Sequence, residues 1–312
     1  MKLSDLGENR VVADLTRALV LGADVRVGAG DDCAVIGRPR DAHWQLLKTD
    51  AVIEGVHFLP EENPRRIGWK ALGRAISDIA AMGGQPQHAL ITIAAPPATD
   101  FARLSGLYAG LRKSARRFAV SIVGGETARS PGPLFISVAL TGTVERTRCI
   151  LRSGGRPGDA LYVTGRLGGS LAGRHLDFTP RLTEARWLTA NFQLHAMMDL
   201  SDGLAADLPR LAAASRSGFT LDESSIPKTK GCTVVQALTD GEDYELLFAL
   251  SPRTAAALEP AWKQRFPRLA LTRIGTLTVA QHSIVPTAPP TSRKASNLNT
   301  QPPLGHDHFR QR

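Results

Sequence analysis

Three aspartates interrupt the apolar run MMDLSDGLAADL at residues 197–208, and this run constrains the fold more than any other part of the sequence. An apolar segment of this kind is expected to pack in a core, where a carboxylate without a partner is costly. Asp199, Asp202 and Asp207 must therefore lie at an exposed helix start or meet a positively charged group. The organisation of the rest of the chain decides between the two.

Strand-like and helix-like segments alternate along the chain. Runs typical of strands, each flanked by Gly, Pro or Asp, are HWQLLKT, HALITIAA, PLFISVALTGTV, ALYVTG and YELLFAL. Residues at three- and four-residue spacing predict a helix over 67–82. A second helix is predicted to begin after Ser201 and Asp202, whose side chains suit an N-cap. It is predicted to end near Gly218, with a kink or an early break at Pro209. The alternation predicts an α/β (α+β) fold.

The chain has 312 residues, which is enough for two domains. The charged, glycine-rich segment ERTRCILRSGGRPGDA lacks core periodicity, so we predict an N-terminal domain over 1–147 and a C-terminal domain over 148–312. Within the second, a Pro/Ser-rich loop is predicted at about 286–304. The string GHDHF that follows predicts a return of the chain to the body of the protein.

A formal net charge of +9 is compatible with nucleic-acid binding, but the basic residues are scattered and aromatic residues make up only 5% of the chain. Attraction of a polyanionic small substrate, or solubility, explains the charge better, and we predict no nucleic-acid partner. No apolar run approaches the roughly 18 residues of a membrane span. The N-terminal residues lack the apolar stretch of a signal peptide, and the three cysteines match no metal or disulfide spacing. These features predict a cytoplasmic protein without a membrane partner.

Further acidic residues follow the pattern of the first run. They occur at strand ends, beside glycines or on a small-residue helix face, and they are Asp31, Asp32, Asp50, Asp78, Glu126, Asp240, Glu242, Asp243 and Glu245. Turn chemistry explains most of them one at a time. Asp78 is the exception, because neither a turn nor a cap explains an acid on a helix face of small residues. Together these side chains are expected to meet at one edge of a sheet, where α/β proteins bind ligands.

Carboxylates that lie close together repel each other, so their negative charge must be neutralised. Two of them about 4 Å apart repel by roughly 4 kcal/mol at an effective dielectric constant of 20, so they take up protons or hold cations. Oxygen ligands without a His/Cys set favour Mg²⁺ or Ca²⁺, and Mg²⁺ commonly bridges carboxylates to substrate phosphates. The glycine strings GAG, VGG and GRLGGSLAG permit close backbone approach to a ligand. Walker A and protein-kinase strings are absent from the sequence, so any ATP site has another architecture.

Eight motifs together resemble a known family. In chain order they are GAGDDCAVI, KTDAVIEGVHF, GRAISDIAAMGGQP, IVGGETARSPG, RSGGRPGDALYVTG, MDLSDGLAADL, DGEDYELLF and GHDHF. They resemble the thiamine-monophosphate kinases, a family within the superfamily of aminoimidazole ribonucleotide synthetase, and they extend over about residues 28–309. The resemblance implies a two-domain PurM-like fold whose N-terminal domain binds ATP and Mg²⁺ and pairs in a homodimer. It implies a C-terminal α/β domain that binds the substrate.

The resemblance also implies a reaction and site residues. The γ-phosphate of ATP passes directly to thiamine monophosphate, giving thiamine diphosphate, and no residue is assigned as a general base. The residues implied to hold several Mg²⁺ ions are Asp32, Thr49, Asp50, Asp78, Glu126, Asp199 and Asp202. Those implied to contact ATP are Gly125, Glu126, Arg152 and Ser201. Those implied to line the thiamine monophosphate pocket are His57, Glu242 and His306.

Three residues depart from the family pattern. Glu126 replaces the usual Asp, and its extra methylene moves the carboxylate by about 1.5 Å. Lys48 replaces a small hydroxyl residue beside the metal, where its ammonium competes with one cation. His306 replaces the aromatic residue before the terminal Asp-His-Phe. Two alternatives therefore stay open, namely an aminoimidazole ribonucleotide synthetase-like enzyme and a nucleotide-binding relative with impaired catalysis.

Overall fold

The computed structural model describes residues 2–280, which form two compact units. The six-stranded unit comprises Asp24–Cys149 and Ala172–Asn191. The five-stranded unit comprises Ile150–Leu171, the described residues up to Ala23 and those from Phe192 on. Both units combine strands and helices, so the predicted α/β (α+β) class is confirmed. The predicted 286–304 loop and the GHDHF string lie outside the described residues.

Helices and strands alternate as the sequence predicts. The α-helices of the described chain are α1 (Leu3–Leu6), α2 (Glu8–Thr16), α3 (Pro64–Ala81), α4 (Phe101–Arg117), α5 (Leu182–Asn191), α6 (Leu204–Ala214), α7 (Val234–Thr239) and α8 (Pro252–Arg265). The strands are β1 (Val25–Val27), β2 (Ala34–Ile36), β3 (His43–Ile53), β4 (Gln85–Ala95), β5 (Ser121–Arg129), β6 (Phe135–Glu145), β7 (Ala160–Thr164), β8 (Ala196–Asp199), β9 (Ser217–Leu221), β10 (Leu246–Leu250) and β11 (Leu271–Val279).

The six-stranded sheet has the order β1-β2-β3-β6-β4-β5. Its neighbouring strands are antiparallel except β4 and β5, which are parallel and are joined through α4. Helix α3 packs against β3, β6 and β4. The side chains buried on that face include Leu46, Ile91 and Val138. Because side chains alternate along a strand, the intervening residues point to the opposite face.

Helix α3 carries Asp78, and its position is fixed by its ends and by glycine. Asn63 caps the helix by accepting the N–H of Arg65. A Cβ at Gly68 would lie 2.0 Å from the carbonyl oxygen of Leu107 in α4, so only glycine permits this contact. The two helices therefore pack backbone to backbone.

The face of the six-stranded sheet away from α3 exposes apolar and small side chains. Leu47 in β3 is 40% exposed and Leu90 in β4 is 49% exposed. Thr49 and Ala139 are paired across β3 and β6, and both are exposed. This surface is named the open face below.

The five-stranded sheet has the order β8-β10-β7-β11-β9, with every pair antiparallel. Its core joins β7, β8 and β10 to the apolar side of α6, through residues such as Val163, Met198 and Leu208.

None of the helices in the described part of the chain is long and apolar enough to cross a membrane.

Helix α6 corrects one prediction. Gly203, with φ of +97°, is the N-cap residue, and no side-chain cap is formed. The prediction that Ser201 and Asp202 cap the helix through their side chains is therefore wrong. Their backbone N–H groups instead donate to the side chain of Asp207. Pro209 lies within the helix, which ends at Ala214, before the predicted end at Gly218.

Candidate active site

Lys48, Asp50 and Asp78 form the centre of the acidic site in the six-stranded unit. Lys48 and Asp50 are two residues apart in β3 and face α3, because their cross-strand partners Leu140 and Val138 are buried on that face. The Nζ atom of Lys48 lies 2.9 Å from Oδ1 of Asp78. A strand and a helix thus place an ammonium against the carboxylate that the sequence singles out.

Asp32 lies close to Asp78. It is 2% exposed and sits in the segment between β1 and β2. Its N–H donates to Oδ1 of Asp31, and the N–H of Cys33 donates to Sδ of Met82 just beyond α3. Asp32 and Asp78 offer carboxylate oxygens within 4.8 Å of each other. Two buried oxygen donors at this separation match the preference of a hard cation such as Mg²⁺.

Electrostatics in this site favour a charged lysine. Burial opposes the charge of the Lys48 ammonium, but Asp78 and Asp50 outweigh it, so the pKa of Lys48 is raised. Burial, together with the charge of Asp78, raises the pKa of the Cys33 thiol. The thiol is therefore neutral, and the charges of the site are those of its carboxylates and basic side chains.

Asp50 has a basic partner that the sequence reasoning missed. Nη2 of Arg74 lies 3.3 Å from Oδ1 of Asp50, and Nη1 of Arg74 donates to the carbonyl of Ala51 at 3.1 Å. Arg74 precedes Asp78 by four residues in α3, and residues at this spacing share a helix face. That four-residue spacing is the sequence feature that could have predicted Arg74 beside the acidic site.

Thr49 and Glu126 lie on the open face, away from Asp50 and Asp78. Oγ1 of Thr49 is 3.4 Å from Oγ of Ser137. Glu126 pairs with Thr92, which pairs with Ser137, so Glu126 is on the same face. The strands of Thr49 and Glu126 are three spacings apart, roughly 14 Å. Within one chain the structure therefore does not bring these two side chains together.

Gly125 is fixed by packing. A Cβ at this position would lie 1.8 Å from the carbonyl oxygen of Ile91, which no side chain permits. The glycine before Glu126 therefore lets β5 lie against β4.

His57 is positioned by backbone and by a buried lysine. Its Nδ1 accepts the N–H of Ile53 at 3.1 Å, so Nε2 is the nitrogen that carries the proton. The Nζ atom of Lys70 donates to the carbonyl of His57 at 2.6 Å and lies 2.7 Å from Nδ1 of His175. Lys70 is fully buried, and its role in holding this loop was missed because lysine is usually exposed.

The five-stranded unit holds the second group of predicted residues. Asp199 ends β8 and is 2% exposed. The segment after it is held by main-chain hydrogen bonds, since Leu200 donates its N–H to Glu245 and accepts that of Tyr244, both at 2.8 Å. The N–H of Glu242 donates to the carbonyl of Ser201 at 2.7 Å. The loop of Ser201 and the loop of Glu242 are therefore adjacent.

Asp207 is a buried carboxylate of the apolar run at residues 197–208. Its Oδ2 accepts the N–H groups of Ser201 at 3.1 Å and Asp202 at 3.0 Å, and its Oδ1 accepts from Nη1 of Arg210 at 2.9 Å. Arg210 also pairs with Asp202. Burial and the charge of Asp202 raise the pKa of Asp207 above its usual value.

Arg152 belongs to the same cluster. Its positive charge opposes the rise in the pKa of Asp207 that burial and Asp202 cause. Its carbonyl accepts the hydroxyl of Ser215 at 2.9 Å. Ser201 and Asp202 are thus placed by the hydrogen bonds of Asp207, and Arg152 lies close enough for its charge to act on that carboxylate. Arg210 was missed by the sequence reasoning, although its spacing of three from Asp207 indicated a shared helix face.

Most acids of the segment DGEDYE are structural. Three of them accept hydrogen bonds from the stretch at and after the end of β7: Asp240 from the N–H of Gly169 at 2.7 Å, Asp243 from the N–H of Gly168 at 3.1 Å, and Glu245 from the hydroxyl of Thr164 at 2.7 Å. Glu242 differs, because its φ of +53° is rare for a residue with a side chain and its carboxylate accepts the hydroxyl of Tyr244 at 3.4 Å. A strained residue of this kind is typical of a functional site.

Comparison with known proteins defines the class and then the family. The chain matches the N-terminal domain of AIR synthase related proteins over residues 30–144 and their C-terminal domain over 156–286, so it is a two-domain AIR synthase related protein. The thiamine-monophosphate kinase of Rhodopirellula baltica is 41% identical over 253 residues, which are 75% of this chain and 79% of the relative. The chain belongs to the thiamine-monophosphate kinase family.

Further relatives agree with this assignment. The thiamine-monophosphate kinase of Escherichia coli K12 is 34% identical over 267 residues, 76% of this chain and 80% of the relative. The solved structure of AaThiL complexed with AMPPCP and TMP superposes with a TM-score of 0.77 at 30% identity, covering 90% of this chain and 94% of that one. The family resemblance carried by the eight motifs is confirmed.

Proposed function

We propose that this protein transfers the γ-phosphate of ATP to the phosphate of thiamine monophosphate, giving thiamine diphosphate and ADP. The observation that carries the proposal is the pair of buried carboxylates Asp32 and Asp78, with oxygens within 4.8 Å, in a chain that belongs to this family. The relative AaThiL, complexed with AMPPCP and TMP, supports ATP and thiamine monophosphate as the two substrates.

Mg²⁺ is the cation that these residues fit. Asp32, Asp50 and Asp78 supply carboxylate oxygens in the six-stranded unit, and Asp199 and Asp202 do so in the five-stranded unit. Thr49 and Glu126 are proposed as further ligands, on the open face. Bound Mg²⁺ neutralises negative charge on the transferred phosphoryl group.

The nucleotide contacts proposed are Gly125, Glu126, Arg152 and Ser201. Arg152 offers a planar guanidinium to phosphate oxygens, and the hydrogen bonds of Asp207 hold Ser201 and Asp202 in place. The close contact of Gly125 with Ile91 brings the backbone of β5 near its neighbour, so that the strand presents main-chain groups to the ligand.

The acceptor needs no general base. An oxygen of the thiamine monophosphate phosphate already carries negative charge, so no proton has to be removed before it attacks, and positioning supplies most of the catalysis. His57 offers its Nε2–H to the substrate, and Glu242 offers a carboxylate that complements the positive thiazolium. His306 is proposed as a third residue of this pocket.

The open face supports a homodimer. It exposes Leu47 and Leu90 beside small residues on a broad sheet surface, which a second copy of the chain would cover. Glu126 lies on the same face, so a residue proposed to contact the nucleotide would be at the proposed interface. We assign residues 1–147 to ATP and Mg²⁺ binding and dimerisation, residues 148–312 to substrate binding, and the protein to the cytoplasm.

Turnover of purified protein with ATP, thiamine monophosphate and MgCl₂ tests the proposal, with thiamine diphosphate measured by chromatography. Asp32→Asn removes one charge from the cation site and is expected to lower turnover by about 100-fold or more. Asp100→Asn is the matched control, because Asn also caps a helix and α4 keeps its N-cap. Chelation of Mg²⁺ is expected to abolish product formation.

Two outcomes would contradict the proposal. Binding of ATP–Mg²⁺ without product at saturating substrate would favour the relative with impaired catalysis, for which the departures at Lys48 and Glu126 are the supporting observations. Activity on an aminoimidazole ribonucleotide precursor in place of thiamine monophosphate would favour the synthetase-like enzyme.

A further inference from the structure

We propose that the ammonium group of Lys48 permanently occupies one cation position beside Asp78, so that this protein holds one divalent ion fewer than it would with a neutral side chain at position 48. The inference rests on the proposed Mg²⁺-dependent function, and it concerns how many ions the site takes rather than which reaction it performs. Lys48 becomes a residue that determines the metal content of the site.

The contact distance is the first argument. Nζ of Lys48 lies 2.9 Å from Oδ1 of Asp78, the distance of a charge-assisted hydrogen bond. An Mg²⁺ ion binds a carboxylate oxygen at about 2.1 Å. An ion on that same oxygen would lie directly against the ammonium, and the two positive charges would repel. The Asp78 oxygen therefore accepts the lysine or a metal, and not both together.

The local charge balance is the second argument. Three carboxylates, those of Asp32, Asp50 and Asp78, share this part of the six-stranded unit with the basic side chains of Lys48 and Arg74. Their formal charges leave a net charge of −1. Removal of the lysine would leave −2, so the site would attract divalent cations more strongly than it does with the ammonium in place.

The strand geometry keeps the lysine in the site. Lys48 faces α3 because its cross-strand partner Leu140 is buried on that face. Turning the side chain to the open face would require a one-residue shift in the register of β3, which would expose Leu46.

Counting bound Mn²⁺ by electron paramagnetic resonance tests the inference, with full-length protein saturated by a non-hydrolysable ATP analogue. Lys48→Thr is expected to bind one more Mn²⁺ per chain than the wild type. Lys263→Thr makes the same change in charge at an exposed position of α8, and it is expected to bind the wild-type number. Equal numbers for wild type and a folded Lys48→Thr protein would overturn the inference.

Two further measurements keep the test decisive if Lys48→Thr does not fold. Lys48→Met keeps a long apolar stem without the charge, and it is also expected to gain one Mn²⁺. In crystals of the wild type soaked with Mn²⁺ and the ATP analogue, anomalous scattering is expected to show no ion on the Asp78 oxygen that Lys48 contacts, and an ion there overturns the inference. Because none of these counts requires turnover, failure of the inference is separable from failure of the proposed reaction.

Discussion

The two units compensate their buried acids in different ways. In the five-stranded unit, Asp243 and Asp207 accept backbone N–H groups, and Asp207 also pairs with the guanidinium of Arg210. In the six-stranded unit, Asp78 lies within 4.8 Å of a second carboxylate and meets the side-chain ammonium of Lys48. The backbone hydrogen bonds hold a loop in place, whereas the ammonium beside the carboxylates of Asp32 and Asp78 affects which cations that site can bind.

Asp207→Ala should give the largest effect on stability. The change removes the acceptor of two backbone N–H groups and one partner of Arg210, and loss of one side of a buried pair costs about 3–5 kcal/mol. Denaturant unfolding measures the change in the free energy of unfolding. Asp14→Ala removes two exposed ion pairs in the same unit, with Arg10 and Arg17, and should leave that free energy nearly unchanged. Equal losses in the two variants would show that the buried contacts of Asp207 stabilise the fold no more than exposed ion pairs do.

Asp78→Asn should mainly affect turnover. The variant keeps the shape of the side chain but removes a charge from the cation site, so kcat is expected to fall by about 100-fold or more, while circular dichroism shows a folded protein. A variant with wild-type kcat would remove Asp78 from the metal ligands.

The pH dependence of stability probes the ion pair between Glu145 and Arg186. Arg186 binds Glu145 through two contacts of 2.5 and 2.8 Å, and this hydrogen bonding lowers the pKa of Glu145 from 4.5 to about 2. Because the folded value lies below the unfolded one, the stabilisation is complete above pH 4.5 and is lost as the pH falls toward 2. After allowance for solvent screening the loss is on the order of 1–2 kcal/mol.

Thermal melting of wild type and Glu145→Gln at several pH values measures this loss. The variant should show a flatter decline between pH 4.5 and 2. Parallel curves for the two proteins would mean that Glu145 is not the titrating group.

Asp243→Asn should have the smallest effect on stability and turnover. It makes the same chemical change as Asp78→Asn, but in the five-stranded unit. The amide oxygen still accepts the N–H of Gly168, so the free energy of unfolding is expected to change by less than about 1 kcal/mol. Turnover is expected to stay close to wild type. The two variants make the same chemical change at two buried aspartates, and a large loss of kcat in Asp243→Asn would show that charge matters equally in both units.

The sequence predicts the helices and strands better than it predicts which side chains contact one another. Strands β3, β4 and β6 and helix α3 follow from periodicity, because each buries one face over many residues. The approach of Asp32 to Asp78 agrees with the expectation that the acids gather. The opposite orientation of Thr49 relative to Asp50 was also readable, since neighbouring residues of a strand point to opposite faces.

Other features depend on contacts between distant parts of the chain. Asp240, Asp243 and Glu245 bind the stretch around the end of β7, some 70 to 80 residues earlier, and no local pattern distinguishes them from ligands. Clustering of Ala172–Asn191 with the six-stranded unit is likewise invisible to periodicity. The motifs identified the family, but only coordinates separated the acids that hold loops from those that cluster.

The return of α5 to the six-stranded unit has a consequence for biosynthesis. Arg186 binds Glu145 and the carbonyl of Gly83, and it follows Glu145 by 41 residues. A nascent chain that has just emerged through β6 therefore lacks the arginine that this carboxylate requires. Because Arg186 follows Ile150–Leu171 of the five-stranded unit, the six-stranded unit lacks this ion pair until those residues have been synthesised.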